Sequence, residues 1–174
     1  MQTKKHYAAF YALVYQAIGP FTPLTYDCGA LCGGACCKGS DEMGMYLFPH
    51  EEEALDLSAF RVVEGENGKM VICNGTCARE NRPLACRIFP FFPLLREDGR
   101  IEVLPDAGAH RLCPMLQNID VIRFDKAFLR GVRRAGRLLS VDDDCREYLK
   151  MRSAELAKLL PMLYANKPKS LIRK

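Results

Sequence analysis

The sequence predicts an α+β fold, with helices at both termini flanking a loop-rich, cysteine-rich middle that holds one or two β-hairpins. Residues 3–18 show the apolar periodicity of a helix. Two stretches alternate apolar and polar residues around the turn pairs Asn67-Gly68 and Asp98-Gly99, which is typical of hairpins. Residues 118–138 and 141–164 then indicate two further helices.

The N-terminal helix is expected to end at Gly19-Pro20. Lys4 and Lys5 precede its apolar residues, as in a signal peptide, but tyrosines interrupt the apolar run and the following residues make a poor cleavage site. We therefore interpret the segment as an amphipathic helix of the folded chain. Since no stretch of the sequence is long and apolar enough to span a bilayer, we expect a cytoplasmic protein without a membrane partner.

Local signals define the elements that follow. Pro49 and the three glutamates after it predict a helix that runs to about Leu57, because acidic groups favour the first turn of a helix. The first hairpin, FRVVEGENGKMVIC, ends at Cys73, and the second has the sequence FFPLLREDGRIEVL. The acids at positions 142–144 are expected to cap the last helix.

Length and composition favour a single domain over residues 1–174, made of a cysteine-rich segment, 26–115, and a helical segment, 118–164. Of the 174 residues, 49% are hydrophobic and 26% charged, which is ordinary for a globular protein. The net charge of +4 does not by itself imply a nucleic-acid or membrane partner. The nine cysteines are an odd number in a chain larger than disulfide-dependent scaffolds, so a disulfide framework is disfavoured.

Eight of the nine cysteines lie in the irregular middle of the chain. These eight middle cysteines are Cys28, Cys32, Cys36, Cys37, Cys73, Cys77, Cys86 and Cys113. A disulfide knot, a set of buried apolar thiols and a metal site are the competing interpretations. Scattered core cysteines should fall on helix and strand faces, and dense cysteines in a cytosolic protein are more often metal ligands or catalytic groups. The pattern therefore favours a metal-binding segment.

The residues between these cysteines suit thiolate ligands. In ICNGTC, the turn between Cys73 and Cys77 is similar to a zinc-ribbon knuckle with one extra residue. The glycines of the block CGALCGGACC are expected to permit positive φ angles and to let backbone N–H groups point at sulfur. These glycines are Gly29, Gly33 and Gly34.

The segment NRPLACRIFPFFP surrounds Cys86 with prolines, aromatic residues and arginines. The prolines predict a stiff, extended frame for Cys86 rather than a helix. Three phenylalanines, at 89, 91 and 92, are expected to form an apolar lid over the site or to belong to the core. Some of five cations close to candidate ligands are expected to offset thiolate charge. The five are Lys38, Arg79, Arg82, Arg87 and Arg111. For Lys38 and Arg111, solvated surface charge is at least as good an explanation.

A cysteine block ending in a CC pair, a later close cysteine pair and the motif R-P-x-x-C-R-x-F-P together resemble the CxxCxxCC, or YkgJ-like, family. That family is described as a zinc- or iron-chelating domain with eight cysteines. The resemblance covers roughly residues 26–115, and RPLACRIFP is its most specific part. It implies that the eight middle cysteines are the metal ligands.

The first block departs from the family pattern, because its spacing is CxxxCxxxCC. The wider spacing leaves open which of Cys36 and Cys37 is a ligand. A similar block is found in flagellin lysine N-methylases, which are longer chains. No glycine-rich S-adenosylmethionine motif is evident in this sequence.

Chelation of zinc by four thiolates at one or two sites is the favoured function, with iron or an iron–sulfur cluster as the alternative cofactor. An oxidoreductase or methyltransferase-type accessory that uses the cluster is a second hypothesis. That role needs an acid or base beside an open metal position, and His110 is the best candidate for it, with Asp106 a weaker one. His110 would equally suit a surface turn or a ligand position. We assign no catalytic residue, and the balance of signals is against an enzyme.

A third hypothesis is a zinc module that binds nucleic acid, or an anionic protein, through a basic helix at 123–137. Its cations recur at three- and four-residue steps: Arg123, Lys126, Arg130, Arg133, Arg134 and Arg137. Charge runs of this kind are more often solvated helix faces. The ninth cysteine, Cys145, follows three aspartates at a predicted helix start and is expected to be a neutral thiol that binds no metal.

Overall fold

The computed structural model describes residues 2–38, 43–75 and 77–164, with the side chains of residues 2–5 left out. It combines helices with two antiparallel sheets, which fits the predicted α+β class. The predicted N-terminal helix is confirmed and ends at Ile18, where Gly19 adopts a φ of 66°.

The helices and strands occur in the following order. The α-helices are α1 (Gln2–Ile18), α2 (Gly29–Cys32), α3 (Leu84–Ile88), α4 (Ala109–Leu112), α5 (Pro114–Gln117), α6 (Lys126–Leu139) and α7 (Asp143–Leu163). Short 3₁₀ turns lie at Ala35–Cys37, Glu51–Glu53 and Arg79–Asn81. The strands are β1 (Met45–Tyr46), β2 (Phe60–Gly65), β3 (Gly68–Cys73), β4 (Phe91–Leu95) and β5 (Ile101–Pro105).

Both predicted hairpins are confirmed. Strands β2 and β3 pair antiparallel with Gly65 opposite Gly68, and β1 adds to the other edge of β3 to give the order β1-β3-β2. Strands β4 and β5 form a separate two-stranded sheet with Leu95 opposite Ile101. Gly99 in its turn has a φ of 79°, a conformation that glycine adopts without strain.

The larger hydrophobic core lies among α1, α6, α7 and the β4–β5 hairpin. Fully buried residues such as Tyr11, Phe128 and Leu149 come from each of the three helices. Gly136 of α6 lets the hairpin approach closely, since a Cβ at that position would stand 2.5 Å from the Cβ of Pro93. This core contains residues from both ends of the chain.

The three-stranded sheet covers a second, much smaller cluster. Its buried members are Leu47, Phe60 and Val71, and Cys73 and Cys77 pack against them. The sheet region that carries these cysteines therefore has little apolar support of its own.

The helix predicted to begin at residue 118 begins instead at Lys126. Asn118 closes a turn, because its carbonyl accepts the N–H groups of Val121 and Ile122, each at 3.1 Å. The carboxylate of Asp125 then caps α6 by accepting the N–H of Ala127 at 2.6 Å. The apolar pattern before this cap belongs to a turn and a connecting segment, not to the helix.

The helix predicted from Pro49 to Leu57 is only the 3₁₀ turn Glu51–Glu53. Glu51 is fully buried rather than exposed at a first turn. Its carboxylate accepts the N–H of Phe48 at 3.0 Å and, across the fold, the N–H of Leu84. The hydrogen bond from Leu84, 33 residues away, holds the segment in a turn that sequence periodicity alone did not indicate.

The described part of the chain has no helix that is both long and apolar enough to cross a membrane.

Candidate metal centre

All eight middle cysteines line one cavity of about 130 Å³. The cavity lies where α2, the 3₁₀ turn Ala35–Cys37, the end of β3, α3 and the α4–α5 junction meet. Its volume is roughly ten times the space that a single buried water molecule needs. Residues far apart in the sequence are thus brought to a single enclosed space.

The first cysteine block enters the cavity through tight backbone turns. The carboxylate of Asp27 accepts the N–H of Gly29 at 2.9 Å and starts α2. Gly33 and Gly34 then adopt φ angles of 61° and 67°, which reverse the chain before the CC pair. The prediction of positive φ is confirmed at these two glycines and is wrong at Gly29, which begins the helix.

Backbone N–H groups reach two of the sulfur atoms. Gly75, with a φ of 95°, donates its N–H to Cys73 in the turn that resembles a zinc knuckle. Cys113, at the junction of α4 and α5, accepts the N–H groups of Met115 and Leu116. Such donors favour the thiolate form of cysteine, which is the form that binds metals.

Cys86 lies on α3 and not in the extended frame that its neighbouring prolines predicted. Pro83 occupies the position before the first helical residue, where its missing N–H costs nothing. Pro90 follows the end of the helix. A five-residue helix therefore fits between the two prolines.

The nine cysteines are all free thiols. The Sγ atoms of Cys36 and Cys37 are 3.9 Å apart, and the Cys32 thiol donates to the carbonyl of Cys28 at 3.5 Å. Burial, together with neighbouring thiols, raises the pKa of Cys36 to about 12 and also raises the pKa of Cys86. Burial therefore favours the neutral thiol form of Cys36 and Cys86.

Within residues 2–38, 43–75 and 77–164, no three His, Cys, Asp or Glu side chains converge on one point at metal-binding distance. The thiols share a cavity without pointing at a common centre. Coordination would therefore require rotation of the cysteine side chains.

Four of the five predicted neighbouring cations also line the cavity: Lys38, Arg79, Arg82 and Arg87. Arg111 is not among the lining residues. Arg87 is fixed by hydrogen bonds to the carbonyls of Arg82 and Glu80, both at 2.7 Å, and its guanidinium lies 4.0 Å from the centre of the Tyr15 ring.

Arg82 interacts with the sulfur of Cys77 and lies near Cys37 and Cys86. Its Nε is buried and has no hydrogen-bond partner in the described part of the chain. Buried polar atoms of this kind are rare in folded proteins and need an explanation. An anionic group in the cavity would provide the missing acceptor.

Of the three phenylalanines, only Phe89 lines the cavity. Phe91 and Phe92 belong to the larger core, where Phe91 packs edge-on against Phe124 at a ring distance of 4.8 Å. The predicted lid is therefore wrong for these two residues, because the strand β4 turns them away from the cysteines.

The candidate catalytic residues lie elsewhere. His110 interacts with the hydroxyl of Tyr164 at 3.3 Å, and Asp106 accepts the N–H of Gly108 at 2.7 Å and pairs with Arg152 at 3.6 Å. Neither His110 nor Asp106 lines the cavity. A role for either beside a metal gains no support from these contacts.

Cys145 is separated from the other cysteines in the core beside α1. It is fully buried, 3.5 Å from the hydroxyl of Tyr11 and 3.9 Å from the carbonyl of Pro49. Burial is the main cause that raises its pKa to about 12. The expected neutral thiol fits this environment.

The role of Glu51 is not evident from the sequence. Besides two backbone N–H groups, its carboxylate accepts the hydroxyl of Tyr15 at 2.8 Å. Burial raises its pKa to about 7, although these three donors act in the opposite direction. The run of three glutamates gave no local signal that distinguished the buried member from the two beside it.

On the predicted basic face of α6, Lys126, Arg130, Arg134 and Arg137 are exposed and Arg133 is half-buried. Arg123 is exposed just before the helix, and Arg134 also donates to the carbonyl of Ala17 at 2.9 Å. From 126 to 137 this face is about 17 Å long.

Comparison with known proteins adds no relative, since no family model, curated protein or solved structure matches the chain.

Proposed function

We propose that this chain binds metal ions through the thiolates of its eight middle cysteines, with zinc as the favoured metal. The observation that supports the proposal is the shared cavity, which collects every cysteine from positions 28 to 113 and leaves out Cys145. A set of unrelated core thiols would have no physical reason to gather in this way. Kinship with the YkgJ-like family is part of the same proposal, and it rests on the sequence motifs alone.

The donor set suits a thiophilic metal. Thiolate sulfur is the preferred ligand of zinc in structural sites and of iron in iron–sulfur clusters. The bound metal would supply positive charge that replaces the thiol protons and covalent-like links between distant segments. Cys73 and Cys77 pack on the three-residue cluster Leu47, Phe60 and Val71, where such links would stabilise the fold most.

The four lining cations are consistent with an anionic metal–thiolate centre. Zinc with four thiolates carries a net charge of −2, and Arg82 presents a buried Nε beside Cys77. Guanidinium groups next to such a centre offset its charge and orient its ligands. The same argument applies to an iron–sulfur cluster, which remains the alternative cofactor.

Purification under anaerobic conditions, followed by elemental analysis and a visible absorption spectrum, tests the proposal. Zinc gives a colourless protein with at least one metal per chain, whereas an iron–sulfur cluster gives a brown protein that loses colour in air. The variant Cys145→Ala serves as a control, because it removes a thiol outside the cavity. Folded protein that carries no metal would contradict the proposal.

A second candidate function is favoured by the exposed basic face of α6. Lys126, Arg130 and Arg137 are exposed along one helix face, as a site for nucleic acid or an acidic protein requires. The test is binding to a single-stranded RNA oligonucleotide at two salt concentrations. Affinity that falls steeply with salt, and falls further in a charge-reversed variant, would support the nucleic-acid role.

A further inference from the structure

We infer that the cavity forms two separate four-thiolate metal centres and that the adjacent residues Cys36 and Cys37 are divided between them. The first group consists of Cys28, Cys32, Cys36 and Cys113, and the second group of Cys37, Cys73, Cys77 and Cys86. This inference rests on the proposed metal binding and specifies its stoichiometry and ligand sets.

The first group is defined by contacts among α2, the 3₁₀ turn and the α4–α5 junction. Cys32 donates to the carbonyl of Cys28 at 3.5 Å, and Cys28 interacts with both Cys32 and Cys113. Cys113 interacts with Cys32, and Cys36 interacts with Cys28 and Cys32. Each member therefore has neighbours within the group.

The second group is defined by contacts at the end of β3, the following turn and α3. Cys73 interacts with Cys77 and Cys37, and Cys86 interacts with Cys77 and Cys37. Arg82 lies near three of the four members, Cys77, Cys37 and Cys86. Two contacts cross to the first group: the close contact of Cys37 with Cys36 and a weaker interaction of Cys86 with Cys36.

The local backbone is consistent with the assignment of these two adjacent cysteines to different groups. Cys36 and Cys37 lie in a 3₁₀ turn, in which successive residues are rotated by about 120°. Their Sγ atoms are 3.9 Å apart, so the two groups adjoin at this pair. Beyond this pair, Cys36 interacts with Cys28 and Cys32, whereas Cys37 interacts with Cys73 and Cys86.

Packing separates the two groups as well. Cys28 and Cys113 pack with the larger hydrophobic core, whereas Cys73 and Cys77 pack against the small cluster under the three-stranded sheet. The charged neighbours differ too, with Asp27 beside Cys28 and Arg82 beside Cys77. Because Asp27 opposes and Arg82 favours the buildup of negative charge, we expect the second group to bind metal more tightly.

When a centre binds a divalent ion, one ion and four thiols give a four-thiolate complex of charge −2 and four protons. Two centres thus release eight protons per chain. The ion is redox-inactive zinc, or cobalt as its spectroscopic substitute, so no oxidant or reductant takes part.

Titration of the full-length, metal-stripped chain with Zn²⁺ under anaerobic conditions tests the inference, with alkylation and peptide mass spectrometry as the readout. We expect two Zn²⁺ per chain at saturation. At one equivalent, the second group should be protected from alkylation while the first group still reacts. No zinc binding at all would contradict the proposed function itself, whereas one zinc per chain, or protection that mixes the groups, would overturn only the division into two centres.

Single variants provide an independent measurement. Cys113→Ser and Cys36→Ser should each keep one metal, held by the second group, and Cys86→Ser and Cys37→Ser should each keep one metal, held by the first group. Co²⁺ absorption gives the count of four-thiolate sites in each variant, and Cys145→Ala should keep both. If removing one cysteine of either group abolished both sites, the thiolates would form a single bridged cluster and the inference would be wrong. Should a variant fail to fold, the alkylation pattern of the unmodified chain decides.

Discussion

The larger helical core and the cysteine-bearing segment are stabilised in different ways. The helical core joins α1, α6 and α7 through fully buried residues such as Tyr11, Val132 and Leu149. The three-stranded sheet has only Leu47, Phe60 and Val71 as its buried cluster, yet it ends in Cys73 and leads into Cys77. In the described residues, the apolar cluster of the second region is much smaller than that of the first.

The two regions also differ in the surroundings of their cysteines. Cys86 is half-buried and Cys145 is fully buried, and burial raises the pKa of each. Cys86 shares its cavity with seven other cysteines, whereas Cys145 contacts the hydroxyl of Tyr11 and the carbonyl of Pro49. The two cysteines thus differ in their neighbours, although the pKa of both is shifted in the same direction.

The largest expected effect separates these two cysteines. Cys86→Ser removes a proposed ligand and should lower the free energy of unfolding by more than about 3 kcal/mol, with loss of at least one metal. Cys145→Ser should keep its full metal content and lose about 1–2 kcal/mol, because it places a hydroxyl in a buried site. Elemental analysis and denaturant unfolding measure both quantities. Equal metal loss in the two variants would show that the ligands are assigned wrongly.

Removal of metal by a chelator should affect the two regions unequally. Amide hydrogen exchange in β2, β3 and the 28–38 segment should accelerate by about 100-fold or more, since a structural metal site stabilises its surroundings by several kcal/mol. The amides of α6 and of the middle of α7 should change much less. Uniform acceleration along the chain would mean that the helical core also depends on the metal.

The buried carboxylate of Glu51 should make stability depend on pH. Its pKa is raised to about 7 in the folded chain, so its contribution is present below the unfolded pKa of about 4.5 and is lost as pH rises through 7. The ionisable groups that interact with it include Tyr11, Tyr15, Cys86, Arg87, Cys145 and Tyr148.

The expected loss from Glu51 between these limits is about 3 kcal/mol. Thermal unfolding of the parent chain and of Glu51→Gln from pH 5 to pH 8 isolates this contribution. The stability of the parent relative to the variant should fall across that range. A difference that is independent of pH would show that Glu51 titrates in its ordinary range.

A change in the helical core provides the smallest expected effect. Gly136→Ala would place a Cβ 2.5 Å from the Cβ of Pro93 and 2.9 Å from Cγ2 of Ile101. Overpacking of this kind costs about 1–3 kcal/mol, partly offset by the higher helix propensity of alanine. Denaturant unfolding should show the loss, while metal content stays at the parental value. Loss of metal in this variant would show that the two regions are not separable.

Several features of the fold follow from local sequence. The turn pairs Asn67-Gly68 and Asp98-Gly99 predict both hairpins because turn chemistry and strand alternation act within a few residues. The start of α6 is different, since the apolar pattern extends upstream while Asp125 sets the true boundary. A cap that competes with a continuing pattern is difficult to distinguish by periodicity alone.

Local sequence patterns also predict only part of the candidate site. The cysteines were recognisable as a group from their spacing, and the cavity collects all eight of them. The positions of Glu51 and Phe91 instead depend on tertiary contacts, with Leu84 and Phe124 respectively, that no local pattern encodes. The guanidinium of Arg87 is likewise positioned by its contact with the ring of Tyr15, a residue of α1.

The order in which these elements are synthesised gives the packing of α1 a further consequence. The buried face of α1, with Tyr11, Val14 and Ile18, lies against α6, which leaves the ribosome more than a hundred residues later. All eight middle cysteines emerge in the interval between the two helices. A nascent chain can therefore gather its cysteine-bearing segment before α6 is made, and the face of α1 that packs on α6 is covered only afterwards.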